Sequence, residues 1–500
     1  MTDLAPQKAG KREWVGLAVI ALPCLLYSMD LTVLNLALPR LSADLKPTST
    51  ELLWIIDIYG FVLAGFLVPM GTLGDHIGRR RLLMIGAAAF GAASVCAAFA
   101  PSARALILTR AVLGVAGATL APSTLSLIRN MFLDEGQRTK AIGVWITSYS
   151  VGGAIGPLAG GVLLDHFWWG SVFLIGVPVM TLLLTLGPIL LPEFRDPNAG
   201  KIDWPSVALS LTAVLSVIYG IKQLTLALSW LAPVAIVLGL VCGVAFTRRQ
   251  RVLPDPVIAP GLFENRAFAV ALVTYTLAAL VSFGVYVYVG QYLQLVRGLT
   301  PLGAGFATLP VFLGYTIGSF VAPPLARRFG AVQLMIAGLL LGVAGFLLLA
   351  LTNEHASLPV VIGAMWLYSI GLSPLFTLAT NLVVGSAPPE RAGAASALSE
   401  TGAELGGALG VALVGCVGNA VFRHDMRRAI PLGVDATAAE GARNTLGAAM
   451  ALAHQIPGSA GAALANAARQ AFVHAFSISA AVCAALSLAM IVALFASLRR

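Results

Sequence analysis

Residues 71–81 read GTLGDHIGRRR, and they lie between two long apolar segments. An acid, Asp75, is followed by the helix-breaking Gly78 and by a run of three arginines at 79–81. Short, strongly positive loops between membrane helices stay on the cytoplasmic side. We therefore expect this loop to join two membrane-spanning helices at the cytoplasmic surface.

The composition is that of a membrane protein. The chain is 58% hydrophobic and only 11% charged, whereas a soluble domain carries about 25% charged residues. Its mean hydropathy is +0.89. A helix needs about 20 apolar residues to cross a bilayer. We predict fourteen such spans, near 14–38, 52–73, 82–100, 105–127, 140–164, 169–191, 204–224, 226–247, 267–292, 302–324, 331–351, 358–384, 392–420 and 472–497.

The distribution of Lys and Arg predicts the orientation of these spans. With a cytoplasmic N-terminus, 20 of the 31 basic residues fall in cytoplasmic segments and 10 in outside loops. We therefore expect both termini to be cytoplasmic, because cytoplasmic loops carry the excess of basic residues. The net charge of +9 is then explained by the basic residues of the cytoplasmic loops, and no nucleic-acid partner is expected.

A weak internal repeat predicts two homologous halves. GDHIGRRRLLMIG at 74–86 aligns with ARRFGAVQLMIAG at 326–338, although the second copy lacks the acid and the arginine run. Such repeats place the substrate path between two helical bundles. We predict a six-helix bundle at 1–200, two inserted spans at 201–250, and a second six-helix bundle at 251–500. Two complete bundles suffice for a monomer.

The segment 421–470 is predicted to lie outside the cell, between the last two spans. It is rich in alanine and glycine, and Pro457 and Gly458 interrupt its helical composition. A short helical hairpin is one interpretation, and a disordered linker is the other.

Several function classes find no support in the sequence. The chain has no phosphate-binding G-x-x-x-x-G-K-[ST] motif, so an ATP-driven pump is not expected. The six histidines are scattered, and the five cysteines lie in apolar segments without metal-site spacing. We expect no metal, no cofactor and no enzymatic activity.

Ionisable residues inside predicted spans are the first functional candidates, because burying a charge in a membrane is costly. Five lie well within apolar segments, namely Asp30, Asp57, Arg110, Glu400 and Glu404. A structural ion pair is the alternative for each. Glu400 and Glu404 are four residues apart and so share one helix face. The neighbouring glycines allow close helix approach; they are Gly402, Gly406, Gly407 and Gly410.

Several motifs resemble the fourteen-helix drug:proton antiporter branch of the major facilitator superfamily. They are GTLGDHIGRRR at 71–81, MDLTVLNLALP at 29–39, RAVLGVAGA at 110–118 and SYSVGGAIGPLAGG at 148–161. The last resembles the antiporter motif, which is carried here by Gly152, Gly156, Pro157, Gly160 and Gly161. The resemblance implies an all-α integral membrane protein with the major facilitator fold. It also implies that the 71–81 loop, through Gly71, Asp75, Gly78, Arg79 and Arg80, controls gating.

These residues suggest an exchange mechanism. A carboxylate in an apolar cavity can hold a proton, and a lipophilic cation entering the same cavity favours its ionised form. We assign proton coupling to Asp30, Arg110 and Glu404, and substrate binding to Asp57, Glu400, Glu404, Tyr59 and Tyr149. The expected function is proton-coupled export of lipophilic mono- and dications across a bacterial inner membrane. Export of an endogenous amine or other metabolite is the alternative.

Overall fold

The computed structural model describes residues 8–47, 49–195, 203–226, 230–253, 256, 261–387, 392–430, 436–443, 445–456 and 458–498. Within these ranges the chain is helical and contains no β-strand. Fourteen segments are long and apolar enough to cross a membrane, which confirms the predicted number. An even number of crossings puts the start of the first span and the end of the last span on one face, here called the terminal face.

Seven helices build the N-terminal half. They are α1 (Lys11–Leu45), α2 (Ser49–Ile77), α3 (Arg79–Ala98), α4 (Ala103–Met131), α5 (Glu135–His166), α6 (Ser171–Leu174) and α7 (Gly176–Leu190). The short α6 and α7 together form the sixth span. One hydrophobic core, with members between residues 17 and 191, holds these helices together. Within it α1 packs on α5, and α2 packs on α4.

Two further spans follow, α8 (Trp204–Leu226) and α9 (Leu231–Gln250). Gly220 and Gly239 let them approach closely, because a Cβ on either would lie 2.8 Å from a backbone oxygen of the partner helix. At the terminal face, Arg249 donates two hydrogen bonds to Asp203, of 2.7 and 2.8 Å. This guanidinium lowers the pKa of the Asp203 carboxyl below its ordinary value.

The C-terminal half begins with the single-turn α10 (Gly261–Glu264). Its spans are α11 (Arg266–Gln291), α12 (Pro301–Phe329), α13 (Ala331–Ala350), α14 (Leu358–Ser386), α15 (Ala392–Ala429) and α18 (Ser459–Leu498), with the short α16 (Ala436–Ala442) and α17 (Leu446–Gln455) before α18. A second hydrophobic core, with members between residues 262 and 494, unites them. The exact domain boundaries stay a prediction.

The predicted outer segment 421–470 is largely helical. The spans on either side of it extend into it, since α15 continues past residue 420 and α18 begins before residue 472. α15 has 38 residues and α18 has 40. At about 1.5 Å per residue both exceed the ~30 Å apolar core of a bilayer. Their ends therefore project from the face opposite the termini, where the predicted short helices α16 and α17 lie between them. Alanine-rich sequence favours helix, which explains the extension.

The glycine face of α15 makes a close helix contact with α11. Gly402, Gly406 and Gly410 recur every fourth residue and face α11. A Cβ on Gly406 would collide with the carbonyl oxygen of Thr276, and one on Gly410 with that of Leu280. Small residues at such positions let two backbones approach closely in a membrane.

Gly406→Ala should therefore destabilise the C-terminal half. Overpacking of a tight contact costs about 1–3 kcal/mol, so the melting temperature of the purified protein should fall by several degrees. Gly415→Ala on the same helix is the matched control, because its Cβ would meet no atom within 4 Å. Equal melting temperatures for the two variants would contradict the close α11–α15 contact.

Candidate functional site

Asp30 and Arg110 form an ion pair inside the N-terminal half. Arg110 Nη1 of α4 lies 3.5 Å from Asp30 Oδ2 of α1, and the arginine side chain is only 1% exposed. The guanidinium also lies 5.4 Å from the ring centroid of Tyr59 and 5.9 Å from that of Phe173. Ring faces attract a cation, and a buried charge needs such compensation. Asp30 and Arg110, both assigned to proton coupling, are thus in direct contact.

The two glutamates of α15 face the N-terminal half. The hydroxyl of Tyr27 on α1 donates a hydrogen bond to Glu404 Oε1. Glu400 is 8% exposed, and its Oε1 has no hydrogen-bond partner among the described residues. A buried carboxylate oxygen without a partner is costly, and such a group is suited to receive a proton or a cationic ligand.

An aromatic cluster of α1, α2 and α5 adjoins these acids. The ring of Tyr27 lies 6.2 Å from that of Tyr59 and 5.4 Å from that of Tyr149, between centroids. Trp145 packs edge-on against Tyr149 at 4.7 Å. Tyr59 and Tyr149, both predicted substrate contacts, therefore belong to one cluster. The bond of Tyr27 to Glu404 joins residues 377 positions apart, so no local sequence pattern points to it.

Two of the predicted side chains lie outside the described part of the structure. Asp57 belongs to the backbone of α2, and Pro157 to that of α5, but their side chains are not described. The predicted cation-binding role of Asp57 therefore stays a prediction.

The glycines of the 148–161 motif bring α1 against α5. A Cβ on Gly152 would collide with the carbonyl oxygen of Leu25, and one on Gly160 would lie 3.0 Å from Val33. Gly156 is also buried, whereas a Cβ on Gly161 would meet no atom within 4 Å. The motif thus positions the helix that carries Tyr27 and Asp30.

The segment 71–81 is not the loop that the sequence predicted, because α2 continues to Ile77, α3 begins at Arg79, and only Gly78 lies between them. This segment contacts α15 at the terminal face. Asp75 forms its ion pair with Arg79, four residues further on, rather than with a base on the opposite half. Arg79 also donates to the carbonyl oxygen of Gly71 at 2.7 Å. Its guanidinium fills the space in front of Gly393 on α15, where a Cβ would collide with it. Arg79 and Gly71 therefore make the contacts across the halves.

Glu193, which the sequence did not single out, holds the start of α3. Its carboxylate accepts the backbone N–H groups of Arg80 at 3.0 Å and Arg81 at 3.2 Å. Gly78, with a φ of 109°, precedes this helix and leaves room for the carboxylate. An acid at a helix N-terminus satisfies free N–H groups and opposes the helix dipole. Its position, more than 100 residues away, gives no sequence signal.

A second contact closes the terminal face between α5 and α14. The buried Arg138 donates from Nε to Asn381 Oδ1 at 3.0 Å. Nearby, Arg327 lies 3.9 Å from Asp134, and both border a cleft of about 640 Å³. Arg327 belongs to the second copy of the internal repeat, at 326–338. Both sides of the terminal face are therefore held by contacts between the halves.

These features define a membrane transporter with two helical halves and buried acids between them. The sequence profile described as "Major Facilitator Superfamily" matches residues 20–411. The chain belongs to this superfamily, whose members are transporters, and it is a multi-pass membrane protein.

Characterised relatives match nearly the whole chain. The multidrug efflux pump LfrA of Mycolicibacterium smegmatis is 41% identical over 490 residues, covering 98% of this chain and 97% of LfrA. The methyl viologen resistance protein SmvA of Salmonella typhimurium is 35% identical over 498 residues, covering 98% and 99%. The fold is also that of the human organic anion transporter MFSD10 (TETRAN), with a TM-score of 0.61, 16% identity and coverage of 96% and 98%.

Asn381→Ala should favour opening of the terminal face. The change removes an acceptor from a buried guanidinium, and a hydrogen bond to a charged group contributes about 1.5–3 kcal/mol. The population open at this face should therefore rise about tenfold or more. Spin labels at the exposed Lys140 of α5 and Arg328 of α12 would report the opening as longer interspin distances.

The control for this experiment is Asn419→Ala, which changes an exposed asparagine towards the far end of α15. It should leave the interspin distances unchanged. An Asn381→Ala variant with the wild-type distance distribution would show that the Arg138 contact does not hold the face closed.

Proposed function

We propose that the protein is a proton-coupled antiporter that exports lipophilic mono- and dicationic compounds across a bacterial inner membrane. The observation that carries the proposal is Glu400, a buried carboxylate whose Oε1 has no hydrogen-bond partner among the described residues. A carboxylate in this position gains most from a ligand that brings positive charge and little water. Quaternary ammonium antiseptics and cationic dyes fit this description.

The surroundings of the glutamates favour cationic cargo. Glu400 and Glu404 lie on one face of α15, and Tyr27 of the opposite half reaches Glu404. The clustered tyrosine rings offer faces that attract cations, whereas an anion would be repelled by two acids. The relatives point the same way, since SmvA is named for resistance to methyl viologen, which is a dication.

The ion pair of Asp30 and Arg110 supplies the proposed proton site. While Asp30 is ionised, it balances the charge of Arg110 in a site where Arg110 is only 1% exposed. Protonation of Asp30 leaves the guanidinium uncompensated, which changes the charge balance of the whole cavity. A proton and a drug cation then compete for the same negative charge, and this competition is sufficient for exchange.

Transport also requires the two halves to rock about the site. The terminal-face contacts, Arg79 against Gly393 and Arg138 with Asn381, hold one side closed. Alternating access demands that these contacts break and form again in each cycle. The Arg138–Asn381 hydrogen bond is local, so it can break and form again without unfolding either half.

The decisive experiment is ethidium transport in proteoliposomes with an imposed proton gradient. Wild type should accumulate ethidium only while the gradient lasts, and an uncoupler should abolish accumulation. Asp30→Asn should reduce transport to the rate of protein-free liposomes, because the proposed proton site is lost. Glu440→Gln is the control, since this glutamate is exposed and lies outside the proposed path.

Each part of the proposal can fail separately. Uncoupler-insensitive transport by wild type would refute proton coupling. Undiminished transport by a folded Asp30→Asn variant would refute the assignment of the proton site. If wild type moved neither ethidium nor methyl viologen but did exchange protons for a polyamine, export of an endogenous amine would replace drug efflux.

A further inference from the structure

Tyr27 connects the two halves near the middle of α1. Its hydroxyl donates to Glu404 of α15, and its ring packs against Tyr59 and Tyr149. It also stands one helical turn from Asp30, so the two side chains lie on neighbouring parts of the same helix surface. One turn of α1 is thus attached to α4 through Asp30 and to α15 through Tyr27.

A continuous series of contacts joins the two acidic sites. Asp30 lies 3.5 Å from Arg110, and Arg110 lies 5.4 Å from the ring of Tyr59. The rings of Tyr59 and Tyr27 are 6.2 Å apart, and Tyr27 donates to Glu404. The acid of the proposed proton site is therefore linked to an acid of the proposed cation site without a break.

We propose that Tyr27 is a positioning residue that couples the cation site at Glu404 to the proton site at Asp30. The inference rests on the function proposed above and deepens it. A hydrogen bond to an ionised carboxylate is about twice as strong as one to a neutral group. Tyr27 therefore ties α1 to α15 firmly while Glu404 is ionised, and it loosens when a proton or a cation neutralises that charge.

The coupling acts in both directions. Neutralising Glu404 frees Tyr27, and with it the turn of α1 that holds Asp30 against Arg110. Protonating Asp30 in turn removes the partner of Arg110, which then interacts with the ring of Tyr59 and with the negative charge of Glu404. The other ionisable groups that face Tyr27 and Glu404 are Glu400, on the same helix as Glu404, and the phenols of Tyr59 and Tyr149. Linkage requires that each site change the affinity of the other by the same factor.

A double-mutant cycle measures this coupling. The probe is tetraphenylphosphonium, and the quantity is the factor by which Asp30→Asn, a neutral mimic of the protonated acid, changes its Kd. In the wild-type background we expect a factor of about fivefold or more, the usual scale of coupling between sites. In the Tyr27→Phe background, which keeps the ring and removes the hydroxyl, the factor should fall close to one.

Two further variants make the result specific. Tyr149→Phe removes a hydroxyl from a ring that packs on Tyr27, and it should keep the wild-type coupling factor even if affinity changes. Glu404→Gln removes the charge at the other end of the bond, and it should abolish coupling as Tyr27→Phe does. This second variant also tests the inference if Tyr27→Phe does not fold.

The outcomes separate this inference from the proposed function. An unchanged coupling factor in Tyr27→Phe or in Glu404→Gln would overturn the role of Tyr27, while proton-driven transport by wild type would still stand. If Asp30→Asn did not alter the Kd of the wild-type background, there would be no coupling for Tyr27 to carry. Failure of the proposed function would instead show as absent or uncoupler-insensitive transport.

Discussion

The close contact between α15 and α11 determines the arrangement of the site. Gly402, Gly406 and Gly410 leave no room for a side chain between the two backbones. Because that face of α15 is committed to α11, the acids of the same helix are turned away from it, and Glu404 reaches α1 of the other half. Near the terminal face the same helix presents Gly393 to Arg79. One helix therefore combines internal packing, the acidic site and the contact between the halves.

Burial of charge is the second constraint on the structure. A charged group in an apolar interior needs a partner, because the loss of hydration otherwise costs several kcal/mol. Asp30 has Arg110, Asp75 has Arg79, and Arg138 has the amide oxygen of Asn381. Glu400 differs from these groups because, among the described residues, its Oε1 atom has no hydrogen-bond partner and its carboxylate has no ion-pair partner. A structural role readily explains the paired groups. It does not explain why the carboxylate of Glu400 is buried without a described partner, which costs free energy.

Hydropathy, glycine spacing and the buried acids could be read from the sequence because each depends on residues close together in the chain. The fourteen spans and the close-packing face of α15 follow from such local patterns. The bond of Glu193 to the start of α3 and that of Arg138 to Asn381 join residues 113 and 243 positions apart. No rule based on residue spacing connects residues so far apart in the chain. The extension of α15 to Ala429 was missed because hydropathy marks only the part of a helix within the membrane.

The inserted pair α8–α9 makes the two sides of the molecule unequal. α8 packs on both α2 and α15, where Ile218 joins a small apolar cluster with Phe61 and Ala64, and Leu405 packs against it. Lipid chains are as apolar as these side chains, so the contact adds little net attraction between the halves. Its consequence is steric. α8 lies between α2 and α15, and its contact with Leu405 covers α15 next to Glu404 on the side where lipid would otherwise lie.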